Sequence, residues 1–84
     1  MKFNYLITFR SITFAQKAEA VLRRADIDCR LQRTPRELST RGCGYCLRLR
    51  GSDALAAVEL LRNRDILFGK IYAMGSGGME ERML

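Results

Sequence analysis

The stretch Thr34-Pro35-Arg36-Glu37-Leu38-Ser39-Thr40-Arg41-Gly42-Cys43-Gly44-Tyr45-Cys46 stands apart from the rest of the chain. It is polar, basic and rich in turn-forming residues, and Cys43 sits between two glycines. On either side the sequence returns to ordinary packing periodicity, so this stretch separates two halves with the same pattern of elements. Glycine has no Cβ and permits unusual backbone angles and close approach by another molecule. A sulfur placed between two glycines is therefore easy to reach. Thr34 and Glu37 have the spacing of a capping box, with Pro35 at the first helical position. A short helical turn is expected over Pro35 to Ser39, followed by a tight turn at Gly42 and Gly44 around Cys43.

Upstream, Phe3 to Arg10 alternates. Phe3, Tyr5, Ile7 and Phe9 share one face, and Asn4, Leu6, Thr8 and Arg10 the other, which is a strand signal. Ser11 to Asp26 reads as a helix. Ser11 or the Thr13/Gln16 pair could cap it, and Phe14, Ala18, Val21, Leu22 and Ala25 form its apolar stripe. Ile27 to Arg33 is a second strand with Cys29 on its apolar face, where a cysteine behaves as a small hydrophobe. Downstream, Tyr45, Leu47 and Leu49 alternate with Cys46, Arg48 and Arg50 in a third strand. Gly51, Ser52 and Asp53 are turn and cap residues before a helix over Ala54 to Asn63, whose stripe is Ala54, Ala57, Val58 and Leu61. Leu67 to Met74 is a fourth strand. Gly75 to Gly78 reads as a tether and Met79 to Leu84 as a frayed tail.

The order strand, helix, strand, strand, helix, strand predicts an α+β domain of the ferredoxin-like βαββαβ type. Its sheet would have four antiparallel strands with both helices on one face. The expectation is one domain over residues 1–74 and a flexible Gly-rich tail over 75–84. The other sheet face would be open and carry Thr8, Arg10, Arg30, Gln32, Cys46, Arg48, Arg50, Lys70 and Tyr72, a basic and partly polar surface.

Composition narrows the chemistry. The chain has 84 residues, 48% of them apolar, and Lys plus Arg outnumber Asp plus Glu 15 to 9. A domain of this size buries only about 60–65% of its unfolded surface. The net charge of +6 suits an acidic partner: nucleic acid, an acidic protein or an anionic metabolite. No apolar run approaches a membrane span and no signal peptide is recognised, so a cytoplasmic protein is expected. There is no histidine, which removes Ser-His and Cys-His catalytic pairs. Three cysteines fit neither a disulfide scaffold nor a four-ligand zinc site. No metal or other cofactor is expected.

Cys43 is the residue through which chemistry is expected to run. A thiolate is the reactive form of cysteine, and nearby cations lower the pKa of a thiol. Arg36 and Arg41 are close in sequence and Arg48 is a candidate to be close in space. Arg36, Arg41 and Arg48, with Gly42 and Gly44, make up an expected anion- or substrate-binding set. Cys46 completes a C-x-x-C spacing with Cys43 and could act as a resolving thiol.

Tyr5-Leu6-Ile7-Thr8-Phe9, the Ala18-Glu19 pair, Pro35-Arg36-Glu37-Leu38-Ser39, Gly42-Cys43-Gly44-Tyr45 and Leu47-Arg48-Leu49 together resemble a family of small bacterial proteins described as selenium or sulfur carrier protein-like. The resemblance spans Tyr5 to Ala73, and Pro35-Arg36 followed by Cys43-Gly44 is its most specific part. It implies a carrier more than a stand-alone enzyme, with a persulfide or perselenide held on Cys43. The partners would be a donor such as a cysteine desulfurase and a sulfur or selenium acceptor. Cys46 departs from the family's pattern, in which a non-cysteine residue is expected there, and a neighbouring thiol could discharge a persulfide by attacking it. Two other classes stay open at this point: a thiol–disulfide switch through Cys43 and Cys46, and a basic nucleic-acid or anion-binding module on the sheet face. The latter lacks the glycine-aromatic consensus of RNA-binding sheets. An exposed strand edge could also pair two copies.

Overall fold

A computed structural model of the chain describes residues 3–35, 44–75 and 77–84. The elements are β1 (Tyr5–Phe9), α1 (Ile12–Arg24), β2 (Cys29–Arg33), β3 (Tyr45–Leu49), α2 (Gly51–Asn63), β4 (Ile71–Gly75) and β5 (Gly78–Arg82). They form a mixed α+β structure with two helices and a five-stranded antiparallel sheet in the order β2-β3-β1-β4-β5.

The expected four-stranded sheet is therefore corrected to five strands, and the segment expected to trail as a tail forms the fifth. β5 pairs with β4 from Gly75↔Gly78 to Ile71↔Arg82. Nothing in its own composition calls for a strand. β4, however, would otherwise present a row of unpaired backbone groups, and a returning chain satisfies them. Gly78, with φ at 114°, takes a backbone conformation open to glycine and not to most side chains, which lets the chain turn back. The ion pairs Lys70–Glu81 and Arg82–Glu80 lie on the surface of this hairpin and add little.

The apolar alternation of the sequence places the core. Ile7, Phe9, Cys29, Leu47, Leu49 and Ile71 turn one sheet face towards the helices and are buried. From α2 come Ala54, Ala57, Val58 and Leu61, the stripe read from the sequence. From α1 come Ala15, Ala18 and Leu22. Ala25 is instead the exposed C-cap of α1, and Phe14 is half-buried at its rim. The sheet face away from the helices is not simply open: Leu6 and Cys46, both on that face, have no solvent exposure.

The two helices are started differently. Ser11 Oγ accepts from the Phe14 N–H at the head of α1, a local cap of the kind the sequence offers. α2 begins at Gly51, three residues before the expected Ala54, and its N-cap residue Arg50 makes no side-chain cap. The missing acceptor comes from across the fold: Asn4 Oδ1 takes the Gly51 N–H at 2.9 Å. A Cβ at Gly51 would stand 3.0 Å from the Tyr5 ring, so any other residue there would have to push the ring aside. Asn4 also accepts from Met74 N through its carbonyl, which ties α2, β1 and β4 at one point.

Asn4→Ala is expected to lower the unfolding free energy by about 1 kcal/mol, the usual cost of a lost cap. Ser52→Ala, at a position the local sequence favours as a cap, should change it by less than about 0.5 kcal/mol. Urea denaturation of both variants checks this, and equal losses would contradict the long-range cap.

Candidate functional site

The end of the sheet where β2 passes to β3 is built by backbone pairing. Arg33 lies opposite Tyr45 and Gln32 opposite Cys46. One more hydrogen bond, Thr34 N–H to the Gly44 carbonyl at 3.1 Å, closes the ladder. Gly44 has φ at 154°, where side chains are rarely accommodated, and a Cβ there would stand 3.3 Å from Thr34 Oγ1 and 3.5 Å from the Phe9 carbonyl oxygen. A side chain at 44 would therefore be strained. Arg36, Arg41, Gly42 and Cys43 lie outside the described residues, as does the helical turn expected beyond Pro35.

Cys46 is where the structure departs most from expectation. It stands on the sheet face away from the helices, as alternation required, opposite Thr8 on β1 and Gln32 on β2. It is fully buried there and not presented on an open face. Its thiol donates to the Arg33 carbonyl at 3.8 Å. Burial pushes this thiol up to about 11. The Thr34 hydroxyl favours the thiolate, as do Arg48 and Gln32, but together they do not overcome burial. Cys29, on the helix face, is also buried, and burial raises its thiol as well; Arg23 opposes the shift while Glu19 and Asp28 add to it. Neither Cys29 nor Cys46 is in a disulfide. Both therefore stay as neutral thiols near neutral pH, the inert form.

Arg48 is engaged within the fold. It is half-buried on β3, and its Nη2 donates to the Phe3 carbonyl at 3.0 Å and lies 3.9 Å from Met74 Sδ. Its guanidinium is thus tied to the start of the chain, although its charge still acts on Cys46. Sequence reasoning passed over Arg33. This residue ends β2 and sets its guanidinium 5.7 Å from the centre of the Tyr45 ring, its cross-strand partner. The signal available was position: in an antiparallel pair, the last residue before the connection faces the first one after it.

A family model described as "Putative Se/S carrier protein-like" matches residues 4–73. The chain belongs to this family. The match begins at Asn4, the acceptor that starts α2, and ends in β4, so β5 lies beyond it. No curated protein and no solved structure matches the chain. Membership in a carrier family implies protein partners, since a carrier receives and hands on its cargo. No helix among the described residues is long and apolar enough to cross a membrane.

In the native protein at pH 8, alkylation is expected to leave Cys29 and Cys46 unmodified, with both reacting after unfolding; peptide mapping reads this directly. Stability should also fall as pH rises. Below about pH 9 the Cys46 thiol is protonated whether the chain is folded or not. Between about 9 and 11 the unfolded chain loses this proton while the folded one keeps it, so folding is penalised across that window. Cys46→Ala should lessen the slope, and an unchanged slope would contradict the raised value.

Proposed function

We propose that the protein is a sulfur or selenium carrier that holds a persulfide or perselenide on Cys43 and passes it from a donor enzyme to an acceptor. One observation carries this reading. Of three cysteines in a carrier-family chain, two stand buried in the sheet with raised thiols, which leaves Cys43, between Gly42 and Gly44, for the chemistry. In the loading step the Cys43 thiolate attacks the terminal sulfur of a persulfide on the donor. A new sulfur–sulfur bond forms on Cys43, the donor's own bond breaks, and the donor cysteine leaves as its thiolate. No base is needed beyond what keeps Cys43 ionised, and Arg36 and Arg41, close in sequence, favour that state. The absence of histidine is then no obstacle. A cysteine desulfurase is the class of donor that supplies such a persulfide.

The strand order β4-β1-β3-β2, all antiparallel, supports a ferredoxin-like reading of the scaffold, with β5 added at the β4 edge. The rival readings find less support. A resolving role for Cys46 needs an exposed and ionisable thiol, and Cys46 is neither. A nucleic-acid platform needs exposed aromatics for stacking. The aromatic at the centre of the far sheet face, Tyr72, is half-buried.

Intact mass spectrometry after incubation with a cysteine desulfurase and cysteine tests the proposal. A gain of one sulfur atom is expected, reversed by reductant, absent in Cys43→Ser and retained in Cys46→Ser. A gain that persists in Cys43→Ser would sink it.

A further inference from the structure

We propose that the sheet end carrying Gly44 is a docking surface for an acidic face of the donor enzyme, with Arg10, Arg33 and Lys70 as its contacts. The inference rests on the carrier reading and extends it to partner recognition. The sheet register assembles the three cations. Arg33 lies opposite Tyr45, and Tyr45 opposite Phe9, with Arg10 next in the chain. On the other side of β1, Thr8 N–H donates to the Lys70 carbonyl at 2.9 Å, and Lys70 N–H to Thr8 Oγ1 at 2.8 Å. The ends of β2 and β1 and the starts of β3 and β4 thus form one row. At about 4.8 Å per strand the row is roughly 15 Å wide. Gly44, the residue directly after Cys43 in the chain, stands within it and approaches the Phe9 carbonyl.

All three cations are exposed. Among the described residues, neither Arg10 nor Arg33 has a carboxylate at ion-pair distance. Lys70 meets Glu81 only at 3.8 Å, with both side chains more than half exposed. Tyr45 holds the Arg33 guanidinium in place, so less freedom is lost when it meets a partner. α1 begins at the same end, and its first turn has no acidic residue to offset the partial positive charge of its N–H groups. Asp26, Asp28 and Asp53 stand at the other end, where α1 finishes and β2 and α2 begin, and Arg50 pairs there with Asp28 at 3.1 Å. Among the described residues, Arg10 and Arg33 are thus unpaired beside Gly44, whereas Arg23 pairs with Glu19 and Arg50 with Asp28 at the other end. The field of such unpaired cations speeds association with a negative surface and is weakened by salt. The row favours a protein over a nucleic acid, because of its two aromatics Phe9 is buried and Tyr45 is half-buried beneath Arg33, so they offer no stacking platform.

The test compares two double charge reversals of equal net change, Arg10→Glu/Arg33→Glu at this end and Arg24→Glu/Arg30→Glu at the other. Thermal unfolding confirms that both fold. With a cysteine desulfurase as the probe at low salt, the first pair is expected to slow sulfur loading about tenfold or more, and the second to leave it nearly unchanged. The difference should vanish near 0.5 M salt. Cysteine persulfide, a small donor that needs no docking, should load wild type and both variants alike. Equal slowing by the two pairs, or no slowing by the first, overturns the docking surface. Failure of Cys43 to take sulfur from either donor would reject the carrier reading instead. Docking is then judged by fluorescence anisotropy of labelled desulfurase: weaker binding only in the Arg10/Arg33 variant upholds it, and no binding or unchanged binding overturns it.

Discussion

The pairing of β1 with both β3 and β4 is the interaction on which the rest of the structure depends. β1 belongs to the first half of the chain, and its two neighbours belong to the second. Without it the halves would be held together chiefly by β2 against β3 and by the packing of α1 on α2 and β3. Leu6 and Ile7, at its centre, are fully buried on opposite sheet faces, so removing either would leave a hole in a core that tolerates few. The same strand sets the site. Its register puts Phe9 beside Tyr45 and Thr8 beside Cys46, and its entry residue Asn4 supplies the acceptor that starts α2.

Once that register is fixed, the fates of the thiols follow from position. Alternation sends Cys29 towards the helices and Cys46 away from them, yet both end in low-dielectric surroundings that disfavour the thiolate. For Cys46 the opposing influences of Thr34, Arg48 and Gln32 are close at hand and still do not win. Under the proposed carrier function this arrangement is an advantage, because an inert Cys46 would not discharge a persulfide held on Cys43. The C-x-x-C spacing, read without its surroundings, suggests the reverse.

Much of this was legible in the sequence, and the parts that were not share a cause. Strand alternation and the α2 stripe of Ala54, Ala57, Val58 and Leu61 were readable because each is a local period imposed by one buried face. The family resemblance was readable from Pro35-Arg36 and Cys43-Gly44, which stand out against that periodicity. The start of α2 was misplaced because its cap comes from Asn4, 47 positions away, and no local rule sees it. β5 was missed because Gly78 to Arg82 carries no strand pattern of its own and is recruited by an unpaired edge. The burial of Cys46 was missed for a similar reason: alternation gives the face on which a side chain stands but not what covers that face. Register likewise gathered Arg10, Arg33 and Lys70, which are far apart in the chain.

In the proposed carrier, Cys43 alone takes up sulfur while Cys29 and Cys46 stay as inert thiols. The most direct test is a chain carrying Cys29→Ser and Cys46→Ser together, leaving Cys43 as its sole thiol, assayed for onward transfer of labelled sulfur to a thiol acceptor after loading by a cysteine desulfurase. This chain is expected to accept and deliver one sulfur per molecule, to the same extent as the unmodified protein. Loading or delivery that disappears in it, while the variant still folds, would mean that a buried thiol takes part in the chemistry and would overturn a role confined to Cys43.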